Sequence, residues 1–199
     1  MIDRLIPRGN CLHCDEAKAD INPWICGGCS VSIRRDTVAD KQLGDYPLTT
    51  LFRYDGAVQT LLTRAKHPLE PAIYSELLKV DFDLPQNAYF IPVPTPWHRR
   101  FKRRGCQTSC IAEELARRFD GQVFHALRRV SHYRPQAKLN AAQRAQLPAR
   151  SFRCIKPPPN PPLIVVDDII TTGSTLSRAA DALAVDSAHI RLFALARVP

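Results

Sequence analysis

No apolar run in this 199-residue chain approaches the roughly 18 residues that a membrane-spanning helix requires, so no membrane insertion is expected. Residues 1–10 carry charges and lack an apolar stretch of signal-peptide length, which predicts a cytoplasmic protein. Internal repeats are absent, against a solenoid. Carboxylates are scarce in the middle: Thr95 to Lys156 holds 15 Lys or Arg against three acids, a net +12, while the remainder sums to −3. A basic excess confined to one third of a chain favours a polyanion partner such as nucleic acid, or a highly charged phosphate substrate. The seven cysteines do not form the even, dispersed set of a secreted disulfide framework, because four of them fall in two close pairs. Metal binding in a reducing compartment fits that pattern better.

The pairs are Cys11/Cys14 and Cys26/Cys29, a CxxC–x11–CxxC array. Two residues between thiols let a tight turn aim both sulfurs at one ion, and two such turns complete a tetrahedron, the arrangement zinc favours. Gly27 and Gly28 are expected to supply unusual backbone angles for the second knuckle. The competing reading is a pair of redox dithiols. Four protein ligands leave no open position, so the zinc is expected to be structural. His13 is a further candidate ligand or an exposed neighbour. A module of about 35 residues buries little core, so metal would carry much of its folding free energy.

Leu163-Ile164-Val165-Val166 reads as a buried strand with Asp167 and Asp168 at its end. The loop Thr171-Thr172-Gly173-Ser174-Thr175 then leads into the helical pattern Leu176, Ala179, Ala180, Leu183. That order of parts suits a sugar phosphate. Hydroxyls and backbone N–H groups at a helix start wrap a phosphate, paired acids accept from vicinal ribose hydroxyls, and Gly173 lets the backbone approach closely. The bland alternative is a strand ending in a solvated acidic turn.

Residues 1–35 read as the metal module, 36–48 as a polar connector with helical tendency, and 49–199 as an α/β domain with a mainly parallel sheet. Expected strands are Thr49–Tyr54, Tyr89–Pro94, Gln122–Leu127 and His189–Val198. Expected helices follow Val58/Leu61/Leu62/Ala65, Ala72–Lys79, Cys106–Phe119 and residues 174–184, and Pro157–Pro162 is an extended surface spacer. Ligands of such sheets bind at the carboxyl ends of strands. Five cations in six residues, Arg99, Arg100, Lys102, Arg103 and Arg104, surround Phe101 and follow Trp97-His98, combining phosphate neutralisation with base stacking. Arg117, Arg118, Arg128, Arg129 and Arg134 extend that charge. The loop is a nucleic-acid surface, a hood over pyrophosphate, or a solvated basic loop. Cys106 and Cys110, four apart, read as a packed helix face before a redox pair or second metal site, and Cys154 as a lone, partly buried thiol.

Leu163 to Thr175 resembles the thirteen-residue phosphoribosyl-pyrophosphate (PRPP) loop of type I phosphoribosyltransferases. With the two CxxC pairs, Phe52-Arg53-Tyr54-Asp55-Gly56, Ala65-Lys66-His67, Ile91-Pro92-Val93-Pro94, Arg104-Gly105 and Gln136-xx-Leu139-xxxx-Arg144, the chain resembles the ComF/GntX family of ComFC-type competence proteins nearly end to end. It departs from the family at Cys106, where an aromatic residue is usual, at Leu147 in place of Asn, and at Pro68 in place of Gly. The resemblance implies a four-cysteine zinc finger before a type I phosphoribosyltransferase-like domain. It also implies that Asp167 and Asp168 bind the ribose hydroxyls, and that Thr171, Thr172, Gly173, Ser174 and Thr175 bind the 5′-phosphate. Lys66 falls where such enzymes place a pyrophosphate loop; its other reading is a cation suited to a helix end. Mg²⁺ is implied with PRPP. The implied function is a cytoplasmic factor for DNA uptake and use in natural transformation, binding PRPP and single-stranded DNA beside other DNA-uptake or recombination proteins. The alternative is an active phosphoribosyltransferase with an unknown acceptor; the sequence offers no nucleobase pocket and no assignable general base.

Overall fold

The side chains of Leu163–Val166 are at most 1% exposed, and the strand they begin runs on through both acids to Ile170. It belongs to a mixed α/β fold seen in a computed structural model that describes residues 9–36, 41–66, 71–95, 106–130, 151–160 and 162–199. In chain order the sheet strands are β1 (Lys41–Leu43), β2 (Tyr46–Arg53), β3 (Tyr89–Pro92) and β4 (Gln122–Val123). A separate two-stranded ribbon, β5 (Leu127–Arg129) with β6 (Phe152–Cys154), precedes β7 (Leu163–Ile170) and β8 (Ile190–Arg197). Six strands form one sheet in the order β1-β2-β8-β7-β3-β4, parallel throughout except for the β1–β2 pair. A strand buried on both faces reads as a continuous apolar run. That is why β7 and β8 were visible in the sequence.

The helices are α1 (Gly27–Val31), α2 (Gly56–Arg64), α3 (Pro71–Leu77), α4 (Gln107–Arg118) and α5 (Ser174–Asp181). Alternation along β7 divides the core. Ile164 and Val166 pack with Phe90 and Phe193 against α2, α3 and α4. Leu163 and Val165 pack with Ile91 and Leu192 against α5 and the β5–β6 ribbon. Helix α2 buries Ala57, Val58, Leu61 and Leu62, the i, i+3, i+4 stripe that its sequence spacing gives. Each fully buried Val, Leu, Ile or Phe contributes about 1.5–3 kcal/mol, so both faces hold the end of β7 rigidly. The cysteine-rich segment joins the first face: Cys11, Trp24, Ile25 and Cys26 share a cluster with Phe52, Leu61 and Ile73.

Several expectations are corrected. The connector is not helical, because β1 and β2 form an antiparallel hairpin within it. Lys41 there pairs with Asp36, which also accepts from Thr50 Oγ1 at 2.7 Å. Gly27 and Gly28 do not take left-handed angles; they open α1 instead. The expected strand Gln122–Leu127 splits, since β4 ends at Val123 and Leu127 starts the ribbon, whose second strand had no periodic signal over three residues. Arg117 and Arg118 do not extend a basic surface. Arg117 pairs with Glu114. The Arg118 guanidinium lies 4.4 Å from the Phe82 ring centroid and donates to the carbonyls of Leu78 and Val80, tying α4 to the chain after α3. Arg99, Arg100, Lys102, Arg103, Arg104, Arg134 and Arg144 lie outside the described residues, as do His67 and Pro68. Among the described residues no helix is long and apolar enough to cross a membrane.

Candidate functional site

A cleft of about 280 Å³ opens at the carboxyl ends of β3 and β7. Lys66, just past α2, meets Asp167 and Asp168 there, with Thr175 from the start of α5, Thr108 from α4 and Arg129 from β5. Four expected site residues, Lys66, Asp167, Asp168 and Thr175, are therefore brought together. The strand pleat explains how the acids reach it: successive side chains alternate, and Asp168 continues on the side of Ile164 and Val166, towards α2. There Lys66 Nζ lies 2.9 Å from Asp168 Oδ2, both side chains being under one-fifth exposed.

The two carboxylates differ electrostatically. Burial raises the Asp167 carboxyl well above the ordinary carboxylate range, and the adjacent Asp168 charge adds to it. The Asp168 N–H, which donates to Asp167 Oδ1 at 2.9 Å, and the Lys66 ammonium oppose this without cancelling it. The site thus holds one well-paired carboxylate beside one kept from ionising freely.

Of the loop residues, Thr171, Thr172 and Ser174 are exposed and do not line the cleft. Thr172 Oγ1 donates to Ser174 Oγ at 3.2 Å, and no side chain caps α5. Gly173 is buried with φ +80°, and a Cβ there would collide with the Leu43 side chain. Its need for glycine thus comes from backbone geometry and packing by β1, beyond the close ligand approach expected from sequence.

Sequence reading missed Thr95, Gln107, Thr108 and Arg129 as cleft residues. Thr108 Oγ1 donates to the Val93 carbonyl at 2.7 Å, fastening the start of α4 to the exit of β3. Arg129 sits with its guanidinium carbon 5.2 Å from the Phe152 ring centroid. Only the unrecognised β5–β6 pairing brings it here; in sequence it was one basic residue among many.

Cys106 departs from the packed-face expectation. It precedes α4 in extended conformation, with Sγ 3.1 Å from Thr108 Oγ1 and 3.3 Å from Thr95 Oγ1. Burial pushes its thiol up, but hydrogen bonds from Ser109, Thr108 and Thr95 outweigh burial and bring it to about 7. Cys110 does lie on a packed face, and burial, Glu113 and Cys106 push its thiol up. Iodoacetamide should therefore alkylate Cys106 with a rate midpoint near pH 7, ahead of Cys110. Peptide mass spectrometry across the pH range checks this, and earlier modification of Cys110 would contradict it.

The sulfurs of Cys11, Cys14, Cys26 and Cys29 all lie within 4.8 Å of one another, the one cluster among the described residues placed to hold a metal ion. Cys14 and Cys26 Sγ are 3.9 Å apart, close to the roughly 3.8 Å edge of a tetrahedron with 2.3 Å metal–sulfur bonds. Burial pushes the Cys11 thiol up, yet hydrogen bonds from the backbone of Cys14, Cys26 and His13 bring it to about 6. Burial and the three neighbouring thiols push Cys29 up to about 12. One thiolate forms readily and the later ones need a cation, so the donor set fits a soft divalent ion. His13 is not a member of the cluster; its Nδ1 lies 3.0 Å from Thr60 Oγ1 on α2.

No protein-family model matches the chain, and no curated protein matches it.

Proposed function

We propose that this protein is a PRPP-binding, type I phosphoribosyltransferase-like factor of the ComF/GntX kind, acting in the cytoplasm on single-stranded DNA during DNA uptake and use, with a structural zinc. One observation carries the reading: Lys66, Asp167, Asp168 and Thr175 converge in a single cleft at the carboxyl end of β7. A ribose 5-phosphate unit matches that arrangement. Asp167 and Asp168 accept from the 2′- and 3′-hydroxyls, and the start of α5 with Thr171, Thr172, Ser174 and Thr175 receives the phosphate. On ligand entry the hydroxyls compete with Lys66 for Asp168, and the freed ammonium turns to the pyrophosphate. Mg²⁺ on the pyrophosphate supplies further positive charge. For DNA the support is the sequence: Arg99, Arg100, Lys102, Arg103 and Arg104 form the densest cationic run. Other DNA-uptake or recombination proteins are the partners this reading implies.

The second reading, transfer of ribose 5-phosphate to an acceptor, is favoured by one specific feature: a larger chamber shares a wall with the cleft.

Calorimetric titration of PRPP with Mg²⁺ tests the proposal. The wild type should bind. Asp168→Asn and Lys66→Ala should each weaken binding by roughly 10- to 100-fold, the scale of one charge-assisted hydrogen bond. Wild-type protein that gives no heat, or variants that bind as tightly as wild type, would remove PRPP from the cleft. Replacing Arg99, Arg100, Lys102, Arg103 and Arg104 by Gln should flatten the salt dependence of single-stranded DNA binding; an unchanged slope would place the DNA elsewhere.

A further inference from the structure

The largest cavity near the cleft is not the cleft. A chamber of about 600 Å³ lies behind it, and Pro94, Thr95 and Arg129 line both spaces. Its volume is in the range of small-molecule sites. Its walls are of two kinds. Pro92, Leu127 and Ile155 give an apolar side, and Ile155 stands 57% exposed at it, an unusual position for a large aliphatic residue. Arg128, Arg129 and His125 give a nitrogen-rich side, with the Thr95 and Ser109 hydroxyls and the Cys106 thiol between. None of the described lining residues is a carboxylate.

The ribbon that forms this wall is charged in a way that its own pairing does not favour. Arg128 on β5 stands directly opposite Arg153 on β6, both exposed, and like charges directly opposite destabilise a strand pair. Among the described residues Arg128 has no ion-pair partner. Arg129, one residue on, is held by its stacking on Phe152, so its guanidinium is positioned before any ligand arrives. Cations without local acids, one of them pre-oriented, beside an exposed aliphatic surface, suit a ligand with an anionic head and an apolar or flat body.

We propose that this chamber is a second ligand site, for a small amphipathic anion carrying one phosphate or carboxylate group on a ring or hydrocarbon body. The head group lies against Arg128 and Arg129, and the body lies along Leu127 and Ile155. Because Arg129 faces both spaces, an anion in the chamber and an anion in the cleft draw on one guanidinium, and each weakens the other by the same factor. The site goes beyond the PRPP reading and does not require it.

The probes are phenyl phosphate, benzoate and neutral benzyl alcohol, titrated into the whole chain and followed by ligand-observed NMR. Both anions should bind, and benzyl alcohol should bind at least about tenfold more weakly, the weight of one charge-assisted hydrogen bond. The two anionic arms decide which head group is preferred. Arg129→Gln should weaken phenyl phosphate by about tenfold. Ile155→Glu, at an exposed position that folding does not depend on, should abolish binding by placing a negative charge beside the head group. Bound phenyl phosphate should slow iodoacetamide at Cys106 while leaving Cys154, outside the chamber lining, unchanged. Equal binding of benzyl alcohol, no protection of Cys106, or indifference to both substitutions overturns the proposal. Asp167→Asn/Asp168→Asn separates it from the PRPP reading, since loss of PRPP binding there with phenyl phosphate retained leaves the chamber site standing.

Discussion

Cys11→Ser or Cys26→Ser abolishes stoichiometric zinc binding and lowers the unfolding midpoint of the whole protein by well over ten degrees. The expected effect is large because structural zinc sites supply about 10–16 kcal/mol in small finger peptides. The segment around Cys11–Cys29 has little else, its ordered structure being one five-residue helix and short bridges. It spreads beyond the segment because Cys11, Trp24, Ile25 and Cys26 share a core with Phe52, Leu61 and Ile73. Unfolding the knuckles uncovers α2, and α2 leads directly to Lys66. Zinc content by atomic emission, read beside thermal denaturation with and without a chelator, checks both parts. A variant that loses its metal but melts like wild type would show that the metal does not hold this face.

Asp167→Asn moves stability and binding in opposite directions. At neutral pH it raises stability by about 2 kcal/mol, the scale for relieving a buried group whose interactions do not repay its desolvation. For a chain of this size that corresponds to roughly 4–8 °C in the melting midpoint. The sign follows from linkage. A carboxyl whose folded pKa lies above its unfolded value of 3.8 costs nothing at a pH below both, because it is protonated in both states. The cost grows as pH rises through that interval and is complete above the folded pKa. The gain from Asn is therefore largest at neutral pH and shrinks as pH falls toward 3.8. The amide oxygen can still accept the Asp168 N–H, so the local backbone bond is retained. PRPP binding should fall in the same variant, because a carboxylate acceptor for ribose is lost. Melting curves at neutral and acid pH, run beside the calorimetric titration, test the pair of effects. A destabilised variant, or a gain independent of pH, would contradict this account of Asp167. Such a trade is what a ligand site built against local stability shows.

Much of the scaffold was legible because its signals are local. The apolar run Leu163–Val166 required a two-sided burial that only an interior strand gives. The spacing of Val58, Leu61 and Leu62 has the period of a helix stripe, and it buries as one. The CxxC spacing fixes how far apart paired sulfurs can lie, whatever surrounds them, and all four sulfurs do gather. The acids, the loop and the helix after them follow one another in the chain, so their order could be read before their geometry.

What the sequence by itself determined is thus whatever depends on neighbours within a few residues: strand β7, the helix stripes, and a thiol set able to surround one ion. The tertiary structure alone decided which distant groups share a space. It paired Lys66 with Asp168, stacked Arg129 on Phe152 beside the cleft, put Arg118 to use on the carbonyls of Leu78 and Val80, and opened the chamber beside Cys106. The physical reason is that backbone periodicity reflects covalent spacing. Where a long charged side chain comes to rest, by contrast, depends on which strands pair across tens of residues and on which partner or ring its charge then meets.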